Sequence, residues 1–244
     1  MTSNGTCGSG QIARLLTTAM FAASCLTGAC IATGQASDDS SEVPLAHLSA
    51  QWWQRASSIP VSTNPLADTT GELCMVGDSG PIWFLYGTAF GGSAVRLCSV
   101  PADRALFFPV FNFVDVNTPN ICGQGAGNLS VADLRAVLAP FIDAATLISV
   151  TVDGVSANRH IHRVKSVPFS IEFPADNIFV VPCGGASQSP GGVVFSPAVD
   201  DGYYAYLRPM QPGTHTIHIQ ANAPALTSPL DVTYYLTIVP VTLE

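Results

Sequence analysis

The sequence predicts a mainly β protein: a two-layer antiparallel β-sandwich, immunoglobulin-like or jelly-roll-like, with one α-helix near 130–145 and a short N-terminal helix near 45–56. Three observations lead to this prediction. Short apolar or alternating runs recur along most of the chain, glycine and proline turns separate them, and only one longer stretch has convincing helical spacing. Many short strands with such turns and little helix indicate a sandwich or a barrel.

Residues 1–36 are predicted to be a secretory signal peptide. Their only charged residue is Arg14, and the apolar run that follows it is diluted by Thr, Ser and Gly before the acidic segment SDDSSE begins. This pattern is typical of a signal peptide rather than of a stable membrane span. Cleavage before Ser37 would release the chain, while Cys30 offers the alternative of a lipid anchor, although its preceding residues match a lipoprotein signal poorly.

The rest of the chain is predicted to be an acidic, Ser-rich tether at 37–44 and a single β-sandwich domain at 45–244. The sequence has 244 residues, of which 48% are hydrophobic and 11% charged, so it is long enough for one sizeable core. We expect a periplasmic, outer-membrane-anchored or secreted protein.

Charge argues against nucleic acid as a partner. The chain has 9 Lys+Arg and 17 Asp+Glu, and removal of residues 1–36 takes away one arginine and no acid, which leaves a net charge of −9. Such a surface repels phosphate backbones and anionic membranes. The only basic cluster in the sequence is short, and it comprises Arg159, Arg163 and Lys165. Membrane contact is expected only through a lipid anchor at Cys30.

The N-terminal helix and the first strands follow from residue spacing. Leu45, Leu48 and Trp52 have helical spacing and Trp53 adjoins them, so we expect a short helix that packs one or both tryptophans on the body. After Pro60 the runs PIWFLYGTAF, SAVRLCSV and ALFFPVFNFV are bounded by Gly, Pro and Asp, as strands are.

One further helix and a second set of strands complete the element list. Ser130 is placed to cap the helix, Asp133 lies in its first turn, and Pro140 should kink or end it. Its predicted apolar side comprises Val131, Leu134, Leu138 and Phe141. The later strands are predicted at TLISVTVDG, RHIHRVKS, FSIEFP, NIFVVPC, GYYAYLRP, HTIHIQA and DVTYYLTIVPV.

Four cysteines follow the targeting segment: Cys74, Cys98, Cys122 and Cys183. An even number in an exported chain predicts two disulfides in an oxidising compartment. Three pairings are possible, and we favour Cys74 with Cys98 and Cys122 with Cys183. Zinc is the competing interpretation, but the spacings contain no C-x-x-C pair.

The segment CMVGDSGPIWF looks like the nucleophile loop of a chymotrypsin-like serine protease, with Ser79 as the nucleophile. A serine nucleophile needs a histidine base and a carboxylate that orients the histidine. In chymotrypsin-like proteases both of these residues precede the serine in the sequence. Only His47 precedes Ser79, and a single Gly80 stands where the protease loop carries two glycines. We therefore interpret the segment as a tight turn that leads into a strand.

His160 and His162 are candidate metal ligands. Two residues apart on one strand, they would project from the same face, as the first ligands of a jelly-roll metal site do. His215 and His218 would fall on opposite faces, and the nearest downstream carboxylate, Glu172, is too distant for a compact motif. Ordinary strand histidines are the alternative, and no cofactor is expected.

Aromatic side chains are the candidate ligand-binding residues: Trp52, Trp53, Trp83 and Tyr204. Such rings supply stacking faces for sugars in carbohydrate-binding sandwiches. Core packing is the alternative, since strand alternation places Tyr203 and Tyr204 on opposite faces.

Paired carboxylates for glycoside hydrolysis are not evident locally. Asp115, Asp200 and Asp201 each lie at the end of a strand or in a turn, and nothing nearby in sequence pairs them with a second acid. We assign no catalytic residue.

An ordered set of segments spans nearly the whole chain from Ala50 to Leu243. They are QWWQRASSIP, NPLADTTGELCMVGDSGPIWFLYG, RLCSVPADRALFFPVFN, VDGV, RVKSVPFSIEFPADNIF, DGYYAYLRPMQPGTHTIHI and DVTYYLTI. In these segments the chain resembles a family of uncharacterised exported bacterial proteins. Members more often have glutamine at the position of Asp78, which implies that the protease-like loop is accidental. The resemblance implies no activity, substrate or catalytic residue.

These observations favour an exported, non-enzymatic binding or structural module of the bacterial envelope or extracellular space, with a glycan or an envelope protein as the candidate ligand. One alternative is an extracellular hydrolase whose acid/base pair is dispersed in sequence. Another is a metal-dependent jelly-roll enzyme that uses His160 and His162. An enzyme should bring titratable groups together in a pocket, whereas a binding module should present aromatic rings to its ligand.

Overall fold

The computed structural model describes residues 44–76, 80–185 and 191–241, which form two α-helices, ten strands and two short 3₁₀ turns. The predicted signal peptide with Cys30, the tether up to residue 43, and the Asp78–Ser79 loop lie outside the described residues.

The first sheet has the strand order β1-β3-β8-β6, and β7 also pairs with β8. Its strands are β1 (Ile82–Phe84), β3 (Ala105–Val116), β6 (Ile161–Lys165), β7 (Phe169–Glu172) and β8 (Val194–Leu207). β1 runs parallel to β3, and the other pairs are antiparallel.

The second sheet has the order β2-β10-β9-β4-β5. Its strands are β2 (Gly92–Pro101), β4 (Leu147–Val152), β5 (Val155–Ser156), β9 (Gly213–Asn222) and β10 (Leu230–Val239). β2 runs parallel to β10, while the other neighbours are antiparallel. The predicted mainly β, sandwich-like fold is confirmed. Each sheet is mixed rather than purely antiparallel, because β2 lies in the second sheet between β1 and β3 in the chain, and this crossover allows β1 and β3 to run in the same direction.

The apolar run of β3 is buried on both faces, as expected for a central strand without alternation. Leu106 and Phe108 face the second sheet and join the larger core, whereas Phe107 belongs to a second core on the opposite face. That second core contains the tryptophans of α1 (Leu45–Ser58), which therefore covers the outer face of the first sheet. The predicted N-terminal helix is confirmed and forms an additional layer.

α2 (Val131–Asp143) matches the predicted helix, but its buried side differs from the expected one. Leu134, Leu138 and Ile142 are buried, whereas Phe141 is 46% exposed. The helix packs on β3 and β8, and the half-exposed Phe141 ring lies at the edge of this contact, 5.7 Å from the Phe113 ring of β3. Pro140 lies inside the helix, which continues to Asp143.

Ser130 and Asp133 form a capping box at the start of α2. The Ser130 hydroxyl accepts from the Asp133 N–H at 3.2 Å, and the Asp133 carboxylate accepts from the Ser130 N–H at 2.9 Å. The Ser130 hydroxyl and N–H lower the pKa of Asp133.

We expect Ser130→Ala to lower the free energy of unfolding by about 1 kcal/mol, because the first turn loses its side-chain acceptor. Urea denaturation measures the difference, with Ser93→Ala on the exposed side of β2 as the control. Equal effects of the two substitutions would contradict a capping role for Ser130.

The described residues contain both disulfides that the sequence analysis favours. Cys74 pairs with Cys98 at a Cα–Cα distance of 6.0 Å, and Cys122 pairs with Cys183 at 4.4 Å. The first ties the segment before β1 to β2, and the second joins the loops that follow β3 and β7. Two disulfides fit an oxidising compartment. Neither helix in the described ranges has the length and apolar character that a membrane crossing requires.

Candidate functional site

An apolar cavity of about 130 Å³ lies between α1, the middle of β3 and four loops. We call it the aromatic cavity, because six aromatic residues line it: Trp52, Trp53, Phe90, Phe111, Phe113 and Phe179. Its volume is close to the roughly 150 Å³ of an apolar protein cavity that stays dry and binds benzene. The cavity therefore has room for a small apolar group.

Each wall of the aromatic cavity comes from a different part of the chain. α1 contributes the two tryptophans, and the loop between β9 and β10 contributes Leu226. In β3 the register shifts between Pro109 and Phe111, and all six residues from 109 to 114 line the cavity. A bulge of this kind bends the strand and redirects its side chains, which widens the space in front of it.

Phe90 lies at the rim of the aromatic cavity. Ala89 and Phe90 are its most exposed lining residues, and the Phe90 ring is 48% exposed. Phe90 has a φ of 66°, a conformation that costs a non-glycine residue roughly 1–2 kcal/mol. The carbonyl of Phe90 accepts from the N–H and the hydroxyl of Thr227 at 3.0 and 2.8 Å. These bonds hold an aromatic side chain at the entrance in spite of the backbone cost.

A buried hydrogen-bonded chain begins at the cavity wall. Asn112, which lines the cavity, donates to the Tyr204 hydroxyl at 2.8 Å, and Tyr204 donates to Asp200 at 2.5 Å. The backbone N–H of Asp200 donates to the Ser166 hydroxyl at 2.8 Å. Tyr204 and Asp200 are both 0% exposed, so protein rather than solvent surrounds them.

Burial raises the pKa values of two members of this hydrogen-bonded chain, Asp200 and Tyr204. It raises the pKa of Asp200 to about 7, against the opposing hydrogen bond from Tyr204. Burial also raises the pKa of Tyr204, and the neighbouring Asp200 raises it further. A carboxyl group that titrates near neutrality beside a cavity is a feature of functional sites. Because neither side chain reaches the cavity surface, their role is to support the wall through Asn112.

Gly202 permits this arrangement. It pairs with Asn112 across β3 and β8, and a Cβ atom at position 202 would lie 2.4 Å from the Asn112 Cβ. Only glycine leaves room for the asparagine on the neighbouring strand.

A second buried cluster fixes the segment that leads to the rim. Arg96 is 1% exposed, and its guanidinium donates to the carbonyls of Tyr86 and Gly87 at 2.5 and 2.9 Å. It also donates to the carbonyl of Asp68 and to the hydroxyl of Tyr234. The Arg96 side chain thus holds the backbone just before Phe90 in place.

The four predicted ligand-binding rings are all buried, at 1% for Trp52, 8% for Trp53, 5% for Trp83 and 0% for Tyr204. Each ring occupies a core position on a helix or strand, so none of the four presents a face to solvent on which a sugar could stack. Trp52 and Trp53 do line the aromatic cavity, whereas Trp83 and Tyr204 do not.

The predicted metal ligands do not lie together on a strand. His160 ends the 3₁₀ turn Asn158–His160, and His162 lies in β6. In the described part of the chain no group of three His, Cys, Asp or Glu residues is arranged to hold a metal ion. His215 and His218 contact Asp153 and Asp231, and neither lines the recess that contains His160 and His162.

The carboxylates considered for hydrolysis also stay apart. Asp201 accepts two hydrogen bonds from Arg163 at 3.0 and 2.9 Å, while its neighbour Asp200 points to the other face of β8. Asp115 accepts from the N–H of Val116 at 2.9 Å. The described residues therefore do not assemble an acid/base pair from these aspartates. Ser79 lies outside the described residues.

Comparison with known proteins adds no relative: no family model, no curated protein and no solved structure matches this chain.

Proposed function

We propose that this protein is a non-enzymatic binding module, and that its ligand inserts a small apolar group into the aromatic cavity. The group is an aromatic ring or the end of an alkyl chain. The observation that carries the proposal is an apolar cavity inside the fold with a strained, half-exposed Phe90 at its rim. Apolar pockets with a few polar groups are the usual form of small-molecule sites.

The chemistry of the cavity wall supports binding rather than catalysis. Two of its polar lining groups are already engaged: the Asn112 amide nitrogen donates to Tyr204, and the Trp52 indole N–H donates to the Leu85 carbonyl. Behind it, Asp200 and Tyr204 are sealed from the cavity, so neither has access to a bound molecule. Specificity would come from the fit of the ligand between the rings, because aromatic pairs gain roughly 0.5–1.5 kcal/mol beyond their area burial.

The proposal places the module in the bacterial envelope or the extracellular space. The apolar N-terminal run, the two disulfides and the resemblance to exported bacterial proteins support this location. A periplasmic, lipid-anchored or secreted protein would meet apolar ligands there.

The test uses two neutral probes, benzyl alcohol and 1-hexanol, with glucose as the polar control, and measures binding by isothermal titration calorimetry. We expect saturable binding of an apolar probe and none of glucose. Leu226→Trp fills the cavity and should weaken binding at least about tenfold, which is roughly 1.4 kcal/mol. Leu97→Trp introduces the same change on the outer face of β2, where Leu97 is 71% exposed, and should leave binding unchanged. Absence of saturable binding of both probes, or an equal loss in the two variants, would refute the proposal.

A further inference from the structure

A second recess, separate from the aromatic cavity, contains His160 and His162 in its wall. It has a volume of about 420 Å³ and is formed by the β4–β5 hairpin, the 3₁₀ turn before β6, the start of β6 and the end of β8. We call it the basic cleft, because four basic side chains line it: Arg159, His160, His162 and Arg208. It shares no lining residue with the aromatic cavity.

The basic cleft lacks counter-charge. Among the described residues that line it, none is an aspartate or a glutamate, and neither Arg159 nor Arg208 forms an ion pair in the described ranges. Both arginines are exposed. The arrangement differs from that of Arg163, which contacts Asp201 at 2.9 Å.

The other two strand histidines show the same contrast. His215 Nδ1 lies 2.8 Å from Asp153, and His218 Nε2 lies 2.9 Å from Asp231. His160 has no carboxylate of this kind among the residues that line the cleft. Partial burial lowers the pKa of His160, and the charges of Arg159 and His162 lower it further. The His160 ring therefore experiences an excess of positive charge.

This concentration of positive charge is unusual for the chain. The protein has a formal net charge of −8, with only 9 Lys+Arg against 17 Asp+Glu. Two of those nine cations and two of the five histidines line one cleft. Positive groups that converge in a concave site repel each other in the absence of a ligand, and an anion removes that repulsion.

The donor set suits an oxyanion. Arginine guanidinium groups bind carboxylate and phosphate oxygens in a forked geometry, and charge-assisted hydrogen bonds of this kind are stronger than neutral ones. The Tyr206 side chain adds a hydroxyl to the same wall, and Leu207 and Met210 add an apolar surface beside it. A cleft of this size lies within the usual range for small ligands, roughly 300–1,000 Å³.

We infer that the basic cleft binds a small molecule that carries a phosphate or carboxylate group, with Arg159 and Arg208 as its anion-binding residues. The charged group lies between the two guanidiniums, and the histidines and Tyr206 supply further donors. The rest of the ligand packs on Leu207 and Met210. This site is separate from the proposed apolar-ligand site and does not depend on it.

The first experiment is a calorimetric titration at low salt with three matched probes: glucose 6-phosphate, glucuronate and glucose. We expect binding of one or both anionic sugars and none of glucose, and the stronger of the two identifies the preferred oxyanion. The double variant Arg159→Gln with Arg208→Gln should weaken binding at least about tenfold, because two charge-assisted contacts are lost. Both side chains are exposed, so the variant should fold.

Arg104→Gln is the matched control, since Arg104 is a surface arginine paired with Asp103 at 3.2 Å and lies outside the cleft. It should leave the affinity unchanged. An equal loss in Arg104→Gln would show general screening of charge and overturn the inference, as would the absence of saturable binding of both anionic sugars.

The second experiment follows the imidazole C–H signals of the histidines by NMR during the same titration. The signals of His160 and His162 should shift with saturation, while those of His215 and His218, which keep their aspartate partners, should not. Comparable shifts of all four signals would place the anion elsewhere and contradict the assignment. The aromatic cavity is probed with neutral ligands and the basic cleft with anionic ones. Each binding proposal can therefore be refuted without affecting the other.

Discussion

Arg96→Met is expected to lower the free energy of unfolding by about 3–5 kcal/mol, because buried carbonyl groups lose their hydrogen-bond donor. The Arg96 guanidinium is buried and donates to the carbonyls of Asp68, Tyr86 and Gly87 and to the Tyr234 hydroxyl. Methionine fills a similar space but leaves the carbonyls of Asp68 and Gly87 without a donor, whereas the Tyr86 carbonyl keeps the Tyr234 hydroxyl at 2.8 Å. Each unsatisfied buried acceptor costs about 1–3 kcal/mol.

Two further variants distinguish the geometry of the Arg96 contacts from charge alone. Arg96→Lys keeps the charge but has no forked group that can reach three carbonyls at once, so it should recover less than half of the lost stability. Arg104→Met removes an arginine that pairs with Asp103 at the surface and should change stability by less than about 0.5 kcal/mol. Chemical denaturation gives all three values. Full rescue by lysine, or a loss for Arg96→Met no larger than that for Arg104→Met, would contradict this role of Arg96.

The second large effect is a pH dependence that comes from Asp200. Burial raises its pKa in the folded protein to about 7, above the ordinary value of 3.8. The folded state thus binds a proton that the unfolded state has already released between these values. The stabilisation is fully present below about pH 4 and is lost as the pH rises through 7. At 1.36 kcal/mol for each pKa unit, the loss is on the order of 4 kcal/mol.

Asp200→Asn should remove this part of the pH dependence, because asparagine does not titrate and still offers an oxygen to the Tyr204 hydroxyl. Urea denaturation of both proteins from pH 4 to 8 measures the effect as the difference between the two curves. The wild type should lose several kcal/mol relative to the variant across this range. Asp103→Asn, at an exposed ion pair, is the control and should run parallel to the wild type. Parallel curves for Asp200→Asn would contradict the shifted pKa.

Local patterns in the sequence were sufficient for most of the elements. The apolar run ALFFPVFNFV predicted the strand β3, and the capping residues predicted the start of α2. The disulfide pairings follow the favoured choice, although spacing alone left three possibilities open. These features depend on residues that are close together in the chain or on a small set of alternatives.

The burial of Arg96 has a signal in the sequence itself. On β2 the inward residues alternate, and Arg96 has the same parity as Ala94, Cys98 and Val100. A charged residue at an inward position of a strand indicates a buried polar cluster. Its partners were not predictable, since the carbonyls of Asp68 and Gly87 come from irregular segments.

The candidate site depends on contacts between residues that are far apart in the sequence. Trp52 and Trp53, which the sequence analysis singled out, line the aromatic cavity, but their burial follows from α1 packing on the first sheet. Asn112 meets Tyr204 only because Asn112 pairs with Gly202 in the register of β3 and β8. The parallel pairs are equally non-local, because partner strands such as β2 and β10 are separated by most of the chain.

The most direct test of the proposed function is an NMR measurement of intermolecular NOEs between 1-hexanol and the protein. The proposal predicts NOEs from the alkyl end of the probe to the ring protons of Trp53 and Phe111, with Phe90 at the entrance, and their loss in Leu226→Trp. NOEs confined to exposed residues such as Leu97 and Val95 on the outer face of β2, with none to Trp53 or Phe111, would contradict it.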